Sequence, residues 1–460
     1  MPVITPLTAS ASNQPLELNR GYLIPVSIVA ALGGVLFGFD LVIISGAVPF
    51  FKTHFGLDEV GTGWAVGCIN LGSAAGALLA GRLSDTLGRK NLLLLCAVLF
   101  ALTGGGTGWA PSFGLFIAAR MLSGVAVGAA ALVAPMYLAE IAPASLRGRL
   151  VSFYQLAITI GLLLAYLSNY FLLNTGENNW RWMFSSQSVP ALLFFLGLFF
   201  VPESPRWLVK RRREAEAETV LTRIGGAAYA GTEVAGIRAS FQHETQENWR
   251  DLFRPDVRHI VGIGVLIAIF SQADGQNSLF SYAPEIFAQA GMGQDTAFLQ
   301  SVLLGVVNFA FTFIAIRTID RAGRRKLLLW GAGLLALIAI GLAVCFAVAA
   351  PAVLTLGLVM AFIATFAATL GPVTWVALSE LFPNRIRGNA MALATLALWI
   401  ANFFTTASFP IMKEKLGLPA TFLVHAGICL VYFFFVRKTV PETKGRSLEE
   451  IEQLLVRKTV

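Results

Sequence analysis

Apolar residues along this chain run in long unbroken blocks, not in the alternation of a half-buried strand or the stripe of a surface helix. A helix needs about 20 apolar residues to cross the hydrocarbon of a bilayer. Twelve blocks meet that length, roughly at 22–50, 61–81, 91–110, 113–138, 150–173, 183–201, 258–287, 298–316, 327–350, 352–380, 388–411 and 420–437. The connections are short except for 202–257, which carries the charged run KRRREAEAETVLTRIGG. The pattern predicts an all-α polytopic membrane protein with twelve transmembrane helices in two six-helix halves. The expected boundaries are 21–205 for the first half, 206–256 for a helical linker, 257–440 for the second half and 441–460 for a tail.

Composition agrees. Hydrophobic residues make up 56% of the chain and charged residues 13%, against about 25% charged in a soluble domain. A water-soluble enzyme and a disordered chain are both excluded. The net charge of +8 would suggest nucleic acid in a soluble protein, but here the basic residues sit in short loops between apolar blocks. Arg82, Arg89 and Lys90 follow the second block; Arg317, Arg321, Arg324, Arg325 and Lys326 follow the eighth. The alternate loops hold little beyond Lys52, Arg181, Lys413 and Lys415. The positive-inside rule places the basic loops, the linker and both termini in the cytoplasm, with the chain in the plasma (inner) membrane. The polar first ~20 residues lack the pattern of a signal peptide. Four cysteines lie inside apolar blocks, without metal-ligand spacing.

The halves repeat. GRLSDTLGRK (81–90) matches IRTIDRAGRR (316–325), pairing Asp85 with Asp320 and Arg89 with Arg324. AEIAPASLRG (139–148) matches SELFPNRIRG (379–388), pairing Glu140 with Glu380 and Arg147 with Arg387. PESPRWL (202–208) matches PETKGRS (441–447), pairing Glu203 with Glu442. The three offsets are 235, 240 and 239 residues. Duplicated six-helix halves imply a pseudo-two-fold axis along the membrane normal, and a site between them can open to either side by rocking. No phosphate-binding GxxxxGK[ST] loop, HExxH or GxSxG is present, and the four histidines, His54, His243, His259 and His425, are scattered. The sequence therefore suggests transport down a gradient or coupled to an ion, without cofactor or metal.

These blocks resemble the sugar porter family of the major facilitator superfamily, which contains facilitative glucose carriers and bacterial and plant sugar–proton symporters. The likeness runs over about 22–450 and rests on the two D-x-x-G-R loops, the two E-[IL]-[AF]-P-x-x-x-R-G blocks, PESPRWL and PETKG. It implies a monosaccharide, hexose or pentose, as substrate, with protons and the lipid bilayer as the other partners, no nucleic acid, and a chain that works as a monomer. It also implies a pocket drawn mainly from the second half. IFSQADGQNSLFSYAPEIF is similar to the family's Q-Q-x-x-G-x-N-x-x-x-Y-Y, with Gln272 and Asn277 on matching positions. Asn308, Trp375, Trp399, Phe37 and Gln155 match further pocket positions. Ser271 and Ser281 replace a glutamine and a tyrosine, and Leu162 and Leu398 stand where xylose-type members carry glutamines. Amides and indoles suit a sugar, because they bond its hydroxyls and cover its C–H faces without adding charge.

Charges inside the blocks are functional candidates by default. Asp40 lies ~27 Å along the first block and Arg120 ~10 Å down the fourth, at rises of 1.5 Å per residue, so the two can meet. In the family's proton symporters an Asp and an Arg at these positions pair, which implies that Asp40 carries the proton and Arg120 is its switch. Asp274, 234 residues after Asp40, is a second candidate; on a straight helix it lies ~60° from Asn277 and could face the pocket. Asp85, Arg89, Glu140, Arg147, Glu203, Asp320, Arg324, Glu380, Arg387 and Glu442 form the expected cytoplasmic gate, with ion pairs holding it shut while the outer side is open. Three alternatives stay open: a sugar uniporter, a transporter-like sugar sensor and a membrane enzyme.

Overall fold

The computed structural model describes residues 18–242, 249–255 and 257–444, and the side chains of Gln242, Asp320 and Asn384 lie outside the described set. Every regular element described is helical. Among the described residues nine helical stretches, one of them the broken Ala352–Leu381, are long and apolar enough to cross a membrane. Among them are α1 (Arg20–Phe55), α2 (Glu59–Leu87), α3 (Arg89–Gly108), α4 (Phe113–Ile141) and α5 (Arg147–Leu172) of the first half. The sixth span is assembled from α6 (Asn179–Ser186) and α7 (Ser188–Leu198). After the linker helices α8 (Pro205–Lys210) and α9 (Glu214–Gln242), the seventh comes in three pieces, α10 (Arg258–Ala273), α11 (Gln276–Ser281) and α12 (Ala283–Gln289). Then follow α13 (Gln294–Ala322), α14 (Arg324–Ala347) and the broken pair α15 (Ala352–Ala368) and α16 (Leu370–Leu381). The last element, α17 (Arg387–Thr439), has 53 residues, ~80 Å if straight and more than twice the hydrocarbon thickness. It turns back at Gly417, where φ is +78°, and Pro419 follows. It therefore supplies the last two spans, and all twelve apolar blocks become membrane-crossing segments.

With lipid outside, no hydrophobic force drives one apolar helix onto another, so close backbone approach has to hold them. The α2–α4 contact does this with glycine on both sides. A Cβ at Gly72 would lie 2.1 Å from the Met121 carbonyl oxygen, and one at Gly128 would lie 1.9 Å from that of Ser73. Within the first half α1 packs on α5 and α2 on α4; within the second, α14 and α10 pack on α17, and α13 on α15. The halves meet where α2 lies against α17 and α5 against α13.

The linker covers one face of the bundle. The Ser204 hydroxyl caps α8 by accepting from Trp207 N at 3.3 Å. Helix α9, broken at Gly226 (φ +85°), packs on α8 and reaches the start of α1, where Asn19 N donates to the Ile224 carbonyl at 2.8 Å. All described hydrogen bonds between the halves lie from mid-membrane to the opposite, far face. Asn402 Nδ2 donates to Asn70 Oδ1 at 3.0 Å, Asn70 Nδ2 to Thr406 Oγ1 at 3.3 Å, and the Tyr166 hydroxyl to the Phe280 carbonyl at 2.8 Å. Nearby, Gly63 is so close to α17 that a Cβ would come within 2.0 Å of the Ala407 carbonyl oxygen. The bundle is sealed on the far side.

Candidate functional site

A cavity lies below that seal, between the halves. Its walls come from α1, α5, α10, α11, α13, α15, α16 and α17. Seven of the eight residues expected around it are there: Phe37, Gln155, Gln272, Asn277, Asn308, Trp375 and Trp399. Asn277 Nδ2 donates to Gln272 Oε1 at 2.6 Å, and Gln272 Nε2 donates to Ser271 Oγ at 3.3 Å, so the amides form one fixed polar edge. Phe37 and Trp399 form one aromatic part of the wall, with ring centroids 5.7 Å apart and planes at 56°. The buried Trp399 Nε1 has no hydrogen-bond partner. Ser271, Leu162 and Leu398, the positions that depart from the family pattern, do line the cavity.

Ser281 does not. Helix α11 ends there, Ser281 is buried beside the chain's next turn, and Phe280 forms the wall instead. Sequence reasoning missed Gln276 and Asn402, which also line the cavity. Gln276 was open to detection as one more amide inside an apolar block. Asn402 was not, since nothing distinguishes it from an amide bonded between helices.

On α1, next to the cavity-lining Phe37 and Leu41, Asp40 meets Arg120, as the depth arithmetic allows. Arg120 Nη1 donates to Asp40 Oδ1 at 2.5 Å, and both side chains are buried. The Ser123 hydroxyl and Gln187 Nε2, the latter at 3.4 Å, donate to Asp40 Oδ2. Arg120 also lies over the Phe184 ring at 5.6 Å, while its Nε and Nη2 have no partner. The two donors Ser123 and Gln187 escaped the sequence reading because an uncharged polar residue in a span gives no signal of its partner. Phe37 and Leu41 of the same helix line the cavity, so a shift of α1 is felt by both sites.

Asp274 departs from expectation. The helix is not straight: α10 ends at Ala273, Gly275 takes φ +97°, and α11 starts anew. The break turns Asp274 away from the cavity and Asn277. Its Oδ1 accepts from Gln276 N at 3.0 Å, and its fully buried Oδ2 has no partner.

At the linker face the acids and arginines cluster, but within each half. Arg89 Nη2 lies 2.9 Å from Glu140 Oε1 and its Nε 2.9 Å from Oε2, a two-pronged pair, with Asp85 at 3.3 Å. Glu203 accepts from the backbone N–H groups of Arg89, Lys90 and Ser204. Burial pushes its carboxyl above the usual carboxylate range, and those donors pull it back. The second half repeats the design: Arg324 Nη2 lies 2.9 Å from Glu380 Oε1, and Glu442 accepts from Arg324 N at 2.9 Å. Arg387 donates to the Phe382 carbonyl, and Arg147 lines a cavity of about 480 Å³ beneath the linker. The side chain of Asp320 lies outside the described residues. The acids and arginines expected at the gate thus pair at the linker face, and each described cluster ties together the ends of its own half.

The Arg89–Glu140 fork predicts a measurable cost for an apparently mild change. Arg89→Lys keeps the charge but loses the planar two-pronged geometry, at about 1.5 kcal/mol for one charge-assisted bond. The thermal unfolding midpoint of the purified protein should fall for Arg89→Lys and fall less for Arg324→Lys, whose pair is more exposed. Equal midpoints for wild type and Arg89→Lys would show that the fork contributes nothing.

The sequence profile of the family described as sugar (and other) transporters matches residues 26–455. The D-xylose-proton symporter of Escherichia coli K12 is 39% identical over 477 residues, spanning 95% of this chain and 96% of its own. The arabinose-proton symporter of Bacillus subtilis is 37% identical over 447 residues, with 95% and 96% covered. The inward-open structure of the xylose transporter of E. coli superposes with a TM-score of 0.85 at 37% identity, covering 94% of this chain and all of that one. These relatives are transporters and not enzymes. Two six-helix halves around a central cavity, the paired loop motifs and a match over nearly the whole length lead to one assignment: this chain belongs to the sugar (and other) transporter family.

Proposed function

We propose that this protein carries a monosaccharide across the plasma membrane by alternating access, with a proton as the coupled ion. One observation carries the reading: a cavity of neutral amides and aromatic rings between the halves shares helix α1 with a buried carboxylate–guanidinium pair. The cavity chemistry fits a polyhydroxylated ring, which needs donors and acceptors in its plane and apolar contact on its faces. The pair fits a proton, because Asp40 is the one member able to change its charge. Relatives named for D-xylose and arabinose transport support a pentose as first choice.

The substrate contacts in this reading are Phe37, Gln155, Gln272, Asn277, Asn308, Trp375 and Trp399. The linker face is the cytoplasmic one, both termini lie on that side, the protein works as a monomer, and no cofactor takes part beyond the proton gradient. The far seal and the likeness to an inward-open relative support a cavity that faces the cytoplasm. Residues 21–205 and 257–440 act as the two rocking units, joined by 206–256 and followed by the tail 441–460. The linker-face clusters then keep each unit rigid at its cytoplasmic end. Radiolabelled D-xylose and L-arabinose uptake by proteoliposomes, with and without an inward proton gradient, tests the reading. Uphill accumulation only with the gradient is the expected result. Equilibration unaffected by the gradient would make the protein a uniporter, and no uptake of any monosaccharide would remove the substrate class.

A further inference from the structure

The second half contains a polar site that the transport reading does not use. Asp274 stands at the break between α10 and α11, and His425 on the returning limb of α17 lies against that break. A Cβ on Gly275 would come within 2.8 Å of the imidazole Nδ1. The same Nδ1 lies 3.2 Å from the Ala273 carbonyl. A carbonyl only accepts, so Nδ1 bears the hydrogen and Nε2 presents a lone pair. That Nε2 and Asp274 Oδ2 are both buried without a hydrogen-bond partner. An acceptor and a carboxyl oxygen left over in one water-poor region point to a ligand that donates or is shared: a proton.

The internal repeat gives the same place a meaning. Asp274 follows Asp40 by 234 residues and His425 follows Gln187 by 238, against 235 and 239 for the nearest paired loops. In the first half Gln187 donates to Asp40. The second half therefore sets a titratable imidazole where the first has an amide. It sets no cation where the first has Arg120, since 355–360 reads TLGLVM.

We propose that Asp274 and His425 form a second proton-binding site, in the second half, at the repeat position of the Asp40 site. The other groups facing it are few. Cys429 Sγ lies 3.9 Å from the Asp274 carbonyl, the buried Tyr432 hydroxyl comes from the same limb of α17, and α16 contributes the Thr374 hydroxyl; none is a cation. An ionised Asp274 would be a buried charge with no counter-ion among these groups, a costly state. One proton removes it, either on the Asp274 carboxyl beside neutral His425 or on His425 beside the carboxylate. Both arrangements are neutral and belong to the pair, not to one residue. The proton leaves when water reaches the α10–α17 contact, so occupancy follows conformation. Use of this site in coupling rests on the symport reading above; the existence of the site does not.

The test is an infrared pH titration of the purified protein in lipid without sugar, reading the C=O stretch of protonated carboxyls. Wild type should show a protonated-carboxyl band that Asp274→Asn removes and Asp40→Asn leaves. His425→Gln, which copies the first half, should shift the midpoint of that Asp274 band by at least about one pH unit, a tenfold change in proton affinity. A wild-type titration with no carboxyl band assigned to Asp274 overturns the proposal, as does an Asp274 midpoint unmoved by His425→Gln. Because no sugar and no gradient are involved, failure of the transport reading leaves this result standing, and failure here leaves uptake standing.

Discussion

Gln272→Ala and Asn277→Ala should each weaken sugar binding by about 5- to 150-fold, the equivalent of 1–3 kcal/mol for hydroxyls left without partners in a water-poor site. The two amides are not independent. Asn277 Nδ2 donates to Gln272 Oε1, so removing either frees the other to turn away from the ring plane. Each single variant then already loses part of what both contribute, and the double variant should lose less than the product of the two single effects. Equilibrium binding of labelled D-xylose to purified protein measures all three. Both side chains line the cavity, so the variants should fold and reach the membrane. Near-normal affinity in both single variants would remove these amides from the binding site.

Asp40→Asn should abolish uphill accumulation while sugar still exchanges between equal pools. A proton gradient of one pH unit supplies about 1.4 kcal/mol per proton, so wild type at one proton per sugar should accumulate about tenfold and the variant should stop at equality. Asparagine keeps the shape and can still bond Ser123 and Gln187, but it cannot give up or gain a proton. It also leaves the Arg120 charge buried without its carboxylate, so a loss of thermal stability should accompany the change. The exchange measurement separates the two effects: a merely damaged protein loses exchange as well. Full accumulation by the variant would move the coupling role away from Asp40, with the Asp274–His425 pair the next candidate.

Much of this was legible in the sequence because a bilayer simplifies the code. Block length alone gives the spans, loop arginines and the repeat give the halves, and an amide or carboxylate stands out against 56% hydrophobic residues. Helix rise put Asp40 and Arg120 at comparable depths because α1 and α4 are continuous, and the resemblance implied that they pair. Asp274 was misread for the opposite reason: periodicity cannot foresee a break, and Gly275 at φ +97° re-aims every side chain after it. Ser281 failed at the end of that same short helix. Gln187 and Ser123 stayed hidden because a polar partner is recognised only once its neighbour in space is known.

The far seal is made of amides, hydroxyls, the Gly63–Ala407 backbone contact and the Asn174–Asp295 bond, and no described hydrogen bond across it joins opposite charges. The linker face, by contrast, carries exposed charges, Asp85 and Lys210 among them, at ends that would approach one another under the proposed alternating access. Screening shortens the reach of exposed charges to about 8 Å at physiological ionic strength and 3 Å at 1 M, yet it leaves an uncharged contact unchanged. Salt should therefore act on the two ends of the molecule unequally, weakening closure at the linker face alone. A distance label across that face should report a population of open molecules that rises with ionic strength, and a population indifferent to salt would mean that closure there owes nothing to charge.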